Sequence, residues 1–254
     1  MIISKRSCGA IRFFADYHTH TKYSDGRGTP AENVKIAARR GLREVAITDH
    51  GPKSIGTGVA KAETFLAIKE EVTRLAPDFP ELKLLVGSEA NVIGRDGRLD
   101  LPREVISRLD LLLAGLHPYY IPETPGDALY YTLPNLGARF SRSLREKMRS
   151  TNTKALIESI HAYPVDFISH PDLMAPVDLD ELARACSGTE TALEVNTGHH
   201  YNKEGIVRAA ARRGARLVVN SDAHSPEMVG NLEAGAALLD RLRFPAEMVV
   251  NAAI

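Results

Sequence analysis

The sequence predicts an α/β fold in which short strands and helices alternate and the strands close into a TIM-like barrel. Three observations carry that expectation. Short apolar runs recur at residues 12–17, 44–48, 82–87, 110–116, 165–169, 192–196 and 216–220. Stretches with helical spacing separate most of them, and such alternation implies parallel strands joined by helical crossovers. Side chains able to hold a metal follow nearly every run: His18, His20, Asp25, His50, Glu89, His117, His170, Asp222 and His224. An open sheet would concentrate its ligand at one switch point between a few strands, whereas a barrel gathers all its strand ends on one rim.

The first run leads into Asp16-Tyr17-His18-Thr19-His20. In extended chain, residues two apart face the same side, with Cα atoms about 6.5–7 Å apart. His18 and His20 can therefore share a metal, and Asp16 is expected to orient one of them from behind. A helix is expected over residues 29–40. Thr29 caps it, Pro30 suits its first turn, Glu32 completes a capping box, Val34, Ala37 and Ala38 face inward, and Gly41 stops it. The run EVAIT then leads to Thr48-Asp49-His50. Phe65, Ile68, Val72 and Leu75 give a second helix that ends before Pro77. KLLVGS precedes Glu89, LLLAGL precedes His117 and VDFIS precedes His170, while Asp222-Ala223-His224 is expected to repeat the period-two geometry of the first motif.

One segment breaks this rhythm. Residues 118–153 hold Pro122, Pro125 and Pro134, four tyrosines (Tyr119, Tyr120, Tyr130, Tyr131), and a basic stretch of Arg139, Arg142, Arg145, Lys147 and Arg149. It is too long for an ordinary connection, and so reads either as an active-site cover or as a solvated surface insertion. With no linker or repeat to divide the chain, residues 1–254 are expected to form one domain.

Composition excludes several classes of function. Lys+Arg and Asp+Glu are 32 each, so no charge excess draws the chain to nucleic acid or an acidic membrane. The lack of Trp and an aromatic content of 6% argue against a single-strand stacking platform. Cys8 and Cys186 stand far apart in no C-x-x-C pattern, which argues against a disulfide framework or a thiolate zinc site. The opening MIISKRSCGAIRFFA is too interrupted by polar residues for a signal peptide, and no run approaches the roughly 18 apolar residues that span a bilayer. A cytoplasmic location follows as the expectation, with no membrane and no nucleic-acid partner.

An isolated histidine after a strand is usually just a satisfied polar residue. Six histidines and three carboxylates on one rim are better explained as a multinuclear metal site. Imidazole and carboxylate without thiolate suit Zn, Mn or Fe, and ligand type does not choose among them. Three divalent ions would bring six positive charges against three negative ones from Asp25, Glu89 and Asp222, leaving a cationic centre suited to a phosphate oxygen. A water bridging two such ions becomes hydroxide near neutral pH, and paired metals stabilise attacking and leaving oxygens. Phosphoester hydrolysis follows, with amide hydrolysis drawing less on that charge.

At these residues the chain resembles the polymerase and histidinol phosphatase (PHP) superfamily. The resemblance rests on DYHTHT at residues 16–21, SDG at 24–26, TDH at 48–50, SEA around Glu89, GLH ending at His117, SHPD at 169–172 and SDAH at 221–224. It implies a distorted (β/α)7 barrel with a trinuclear site at the C-terminal ends of the strands. His18, His20, Glu89 and Asp222 would hold one ion. Glu89 would bridge to a second held by His117 and His170, and Asp25, His50 and His224 would hold the third. Some relatives have His where this chain has Asp25, a change that keeps a ligand and adds negative charge.

The leading expectation is therefore a metal-dependent phosphoesterase acting on a small phosphate monoester. The nucleophile would be a metal-bound hydroxide, with three divalent ions as cofactors and histidinol phosphate as one candidate substrate. The alternatives are a PHP-type 3'-5' exonuclease or proofreading module, favoured by the basic stretch and disfavoured by the balanced charge, and a non-catalytic metal-binding regulatory protein. His199 and His200 are candidates for general acid or phosphate binding, weighed against plain polar loop residues. Arg27, Lys53 and Arg98 are candidate phosphate clamps, Tyr119 and Tyr120 candidate pocket walls, and His161 is expected to be structural or solvated.

Overall fold

A computed structural model describes residues 11–253; residues 1–10, Cys8 among them, and residue 254 lie outside the described part. The chain runs β1 (Arg12–Phe13), β2 (Ala15–Asp16), α1 (Pro30–Arg39), β3 (Glu44–Ile47), α2 (Thr64–Leu75), β4 (Lys83–Asn91), α3 (Arg103–Ile106) and β5 (Leu111–Gly115). It continues through α4 (Pro125–Asp127), α5 (Leu133–Gly137), α6 (Arg142–Ala162), β6 (Phe167–Ile168), α7 (Leu179–Ser187), β7 (Ala192–Asn196), α8 (Lys203–Arg213), β8 (Leu217–Asn220), α9 (Glu233–Leu242) and β9 (Ala252–Ala253). Strands β2 to β8 form one parallel sheet in sequential order. Its two edges meet at a parallel bridge between Thr19 and Ala223, which closes the sheet into the expected barrel.

The closure is incomplete, and this is where the barrel is distorted. Below the Thr19–Ala223 bridge, β2 and β8 do not pair, and asparagine side chains take the place of the ladder. Asn220 Oδ1 accepts from the Tyr17 N–H at 3.0 Å. Asn251 donates to the carbonyls of Ala15 at 2.8 Å and Val219 at 2.6 Å, and accepts from the Val219 N–H at 3.1 Å. Both asparagines are fully buried, so these bonds satisfy backbone groups that water does not reach.

Side chains alternate between two cores, as the period of a strand requires. Leu193 and Val195 of β7 face outward into the main core between sheet and helices, while Ala192 packs inside the barrel with Ala15, Tyr17, Ala46, Leu113, Phe167 and Val218. That inner apolar layer forms a plug, and polar residues lie above it at the C-terminal ends of the strands.

Three differences from the sequence reading have physical causes. The first run splits at Phe14: β1 pairs antiparallel with β9 outside the barrel, because the Phe14 N–H bonds the Asn251 carbonyl at 3.0 Å. β4 runs to Asn91, past the end of its apolar run, so Glu89 lies within a strand. Its first half pairs with β3 and its second with β5, the stagger that a tilted barrel imposes. Residues 118–153 are largely helical. Pro125 occupies a first-turn position, where proline's missing N–H costs nothing, Pro134 follows a π-helical turn at Ala128–Thr132, and Ser141 caps the long helix α6. The capping box at Thr29 forms as expected, with Gly41 following in the left-handed region at φ 72°.

Candidate metal centre

All nine donors named from the sequence converge above the apolar plug. Glu89 is central, its carboxylate 3.3 Å from His18 Nε2, 2.9 Å from His50 Nδ1, 3.3 Å from His117 Nε2 and 2.7 Å from His170 Nε2. Asp222 lies 3.1 Å from His20 Nε2 and 3.5 Å from His18 Nε2. Asp25 lies 3.7 Å from His50 Nε2 and 3.4 Å from His224 Nε2. Among the described residues, donor atoms within 4.8 Å of one another form the groups His20/Asp25/His50/His224, His18/His20/Glu89 and His50/Glu89/His117.

Much of the donor set is buried and unsatisfied. His18 Nε2, both ring nitrogens of His20, His50 Nδ1, both Glu89 oxygens and Asp222 Oδ1 are inaccessible to water and lack a hydrogen-bond partner. Each such atom costs free energy unless something electropositive binds it, so this donor set fits divalent cations. Backbone strain coincides with the site: His170 (φ 24°) and Asp222 (φ 52°) both adopt positive φ, which costs about 1–3 kcal/mol per residue and persists only where the surroundings enforce it.

The electrostatics follow from burial and crowding. Burial pushes His20 down to about 3, with His50 and His224 adding to the effect, so its ring is neutral and one of its nitrogens offers a lone pair. Burial alone would raise the Glu89 carboxyl, but His117, His18, His50 and His170 outweigh it and hold it well below the carboxylate range. Asp25 is held at about 2, its burial outweighed by His224, His50 and His20.

The rings are oriented by residues the sequence reading did not single out. Glu194, fully buried in β7, accepts from His18 Nδ1 at 2.8 Å, Asn220 Nδ2 at 2.9 Å and the His170 N–H at 2.7 Å. This leaves His18 Nε2 facing Glu89 and Asp222. Asn91 holds His117 Nδ1 at 2.5 Å and donates in turn to the buried Asp100 carboxylate at 2.9 Å. The Asp222 carbonyl accepts from His224 Nδ1 at 2.9 Å. Glu194 did leave a signal, a carboxylate in the middle of the apolar run ALEVN.

Asp16 does not orient a histidine. Strand β2 ends at Asp16, and the side chain turns to the Ser221 N–H at 3.1 Å, the Ser221 hydroxyl and the Gly230 N–H at 2.7 Å. Asp222-Ala223-His224 likewise departs from extended geometry, since Asp222 takes the positive φ given above.

Of the remaining candidates, His199 reaches the site, its Nε2 lying 3.1 Å from Asp222 Oδ2, whereas His200 is exposed and does not line the cavity. Lys53 and Arg98 do not face the cavity. Lys53 pairs with Glu123, and Arg98 with Asp96, Glu123 and Asp127. Arg27 and His161 are exposed, and Tyr120 is buried, accepting from the Thr132 hydroxyl at 3.0 Å. Tyr119 does line the cavity, a space of about 390 Å³. Of the basic stretch, Arg139 alone is among the lining residues. Among the described residues no helix is long and apolar enough to cross a membrane.

The family model described as PHP domain matches residues 16–225. A probable phosphatase of Shewanella sp. (strain ANA-3) is 29% identical over 252 residues, covering 95% of this chain and 88% of that protein. A probable phosphatase of Caldanaerobacter subterraneus subsp. tengcongensis is 29% identical over 255 residues, covering 96% and 89%. Among solved structures, the histidinol phosphate phosphatase of Lactococcus lactis subsp. lactis, complexed with zinc, L-histidinol and phosphate, aligns at a TM-score of 0.64. That alignment has 18% identity and covers 91% of this chain and 94% of the other. The likeness of the two structures concerns the fold.

Proposed function

The chain belongs to the PHP domain family, and we propose that it is a metal-dependent phosphoesterase hydrolysing a small phosphate monoester at a trinuclear site. The observation that carries this reading is the convergence of nine buried or half-buried donors, five of which (His18, His20, His50, Glu89 and Asp222) hold buried atoms with no hydrogen-bond partner. The names of the curated relatives support it. So does the presence of zinc and phosphate in the structurally similar histidinol phosphate phosphatase.

We assign His18, His20, Glu89 and Asp222 to one ion, Glu89, His117 and His170 to a second, and Asp25, His50 and His224 to a third. Zn, Mn and Fe all suit these donors. When bound, such cations supply Lewis acidity, an activated water and a positive field for phosphate oxygens. The protein's own contribution is orientation. Glu194 holds His18 with Nε2 inward, Asn91 and Asp100 do the same for His117, and the Asp222 carbonyl does so for His224. The inner apolar layer closes the barrel beneath the site and excludes water from below. We assign His199 Nε2, at the cavity edge, to protonating the leaving oxygen.

The test uses purified protein stripped with a chelator and reloaded with Mn or Zn, with bound metal counted by mass spectrometry. Hydrolysis of p-nitrophenyl phosphate or a member of a metabolite-phosphate panel, dependent on metal and lost in His18→Ala, is the expected result. Three bound ions with no turnover of any ester would instead support a binding or regulatory protein. Degradation of single-stranded DNA would favour the nuclease reading, which the outward placement of Arg142, Arg145, Lys147 and Arg149 does not support.

A further inference from the structure

The walls of the cavity bear on the leaving group. Above the donors, the cavity is lined by Ile55, Tyr119, Leu173 and Met174, with Arg139 at the mouth. Ile55 and Tyr119 are 57% and 49% exposed, and their backbones are fixed to each other. The Ile55 N–H donates to the Tyr119 carbonyl at 2.9 Å, the Ile121 N–H to the Lys53 carbonyl at 2.9 Å, and Ser54 bridges Tyr120. A rigid apolar wall of this kind costs little entropy when it binds a ligand.

Arg139 is the only cationic Lys or Arg in the lining, and it forms no ion pair among the described residues. Its guanidinium lies 5.2 Å from the centre of the Tyr119 ring and donates to the Tyr119 hydroxyl at 2.6 Å. Of the other candidate clamps, Lys53 is matched to Glu123 and Arg98 to Glu123, Asp96 and Asp127, while Arg27 does not line the cavity. The only carboxylates in the lining, Asp25 and Asp222, belong to the metal donors. Arg139 is exposed whereas His18, His20 and Glu89 have no accessible surface, so an anion on Arg139 sits at a different depth from a phosphate on the cations.

Building on the phosphoesterase reading, we propose that the preferred substrate is a phosphate monoester whose organic part is apolar and carries a second anionic group, bound by Arg139 at the mouth. Tyr119, Ile55, Leu173 and Met174 contact the apolar part. An amino alcohol phosphate fits poorly, because its ammonium finds Arg139 and no free acid. A charge-assisted hydrogen bond to guanidinium contributes about tenfold or more in affinity.

The experiment compares kcat/KM for phenyl phosphate with its 3-carboxy, 3-phosphonooxy and 3-aminomethyl derivatives, using metal-loaded wild type and Arg139→Met. Wild type is expected to favour one or both anionic derivatives about tenfold over phenyl phosphate and to disfavour the aminomethyl ester. The two anionic arms show whether carboxylate or phosphate is preferred. In Arg139→Met the preference falls to about one, and Arg139→Lys restores part of it. Calorimetric binding of benzylphosphonate and its 3-carboxy, 3-phosphonomethyl and 3-aminomethyl derivatives, none of which carries a phosphate ester, gives the same ratio without hydrolysis. Equal values for all derivatives, or a preference unchanged in Arg139→Met, overturn the inference. Hydrolysis of no ester alongside an intact phosphonate preference overturns only the phosphoesterase reading.

Discussion

Replacing Glu194 with glutamine changes one atom, and the structure sets the consequence. Each carboxylate oxygen faces two donors. Oε1 meets His18 Nδ1 at 2.8 Å and Asn220 Nδ2 at 2.9 Å, and Oε2 meets the His170 N–H at 2.7 Å and Asn196 Nδ2 at 3.3 Å. Glutamine must put an NH2 in one of these places. At the Oε2 position it opposes a backbone N–H that cannot reverse, leaving buried donors unsatisfied at a cost of about 1–3 kcal/mol. At the Oε1 position His18 can adapt only by moving its proton to Nε2, which occupies the lone pair aimed at Glu89 and Asp222. Partners of this kind change metal affinity by about 10–100-fold. The expected result for Glu194→Gln is therefore weaker binding of one ion by that factor, measured by competition with a chromophoric chelator. Urea unfolding of the chelator-treated protein should show a loss of about 1–3 kcal/mol. Wild-type affinity for every ion, together with an unchanged unfolding midpoint, would refute the assignment of Glu194 as the residue that orients His18.

Three further outcomes are expected. In Gly115→Ala the new Cβ would lie 2.6 Å from Ser169 Oγ and 2.8 Å from His117 Cε1, so metal stoichiometry should fall while the circular dichroism spectrum keeps its α/β shape. Asn251→Ala removes three bonds at the barrel seam and leaves buried backbone groups of Ala15 and Val219 unpaired. It should destabilise the protein to urea by about 2–4 kcal/mol with or without metal, and a loss near zero would mean the seam is held elsewhere. Burial pushes the Cys186 thiol up to about 12, so at pH 9 almost none of it is thiolate. In a Cys8→Ser background, Cys186 should react with a disulfide reagent only after denaturant is added, and reaction of the native protein at pH 9 would contradict its burial.

Much of the site was legible in one dimension because barrel geometry maps strand ends onto a rim. His18, His50, His117, His170 and Asp222 each follow an apolar run, so reading the runs as parallel strands was enough to bring them together. Asp25 and His224 were legible through motif spacing. Period two in Asp16-Tyr17-His18 misled, because the strand ends at Asp16 and the chain turns it toward Ser221 and Gly230. The capping box of α1 was readable because a cap is a contact between residues three apart.

By itself, then, the sequence determined the order of elements, the barrel they close and the donor set gathered at its rim, since all three depend on local pattern and strand direction. Tertiary structure alone decided what stands behind and above those donors. Glu194 meets His18 across 176 residues, Asn251 joins β2 to β8 across 236, and Arg139 reaches the cavity by stacking on Tyr119 while Lys53 and Arg98 turn to acids of the rim. Such pairings depend on which side chains folding brings within about 3 Å of each other, a distance that no local spacing encodes.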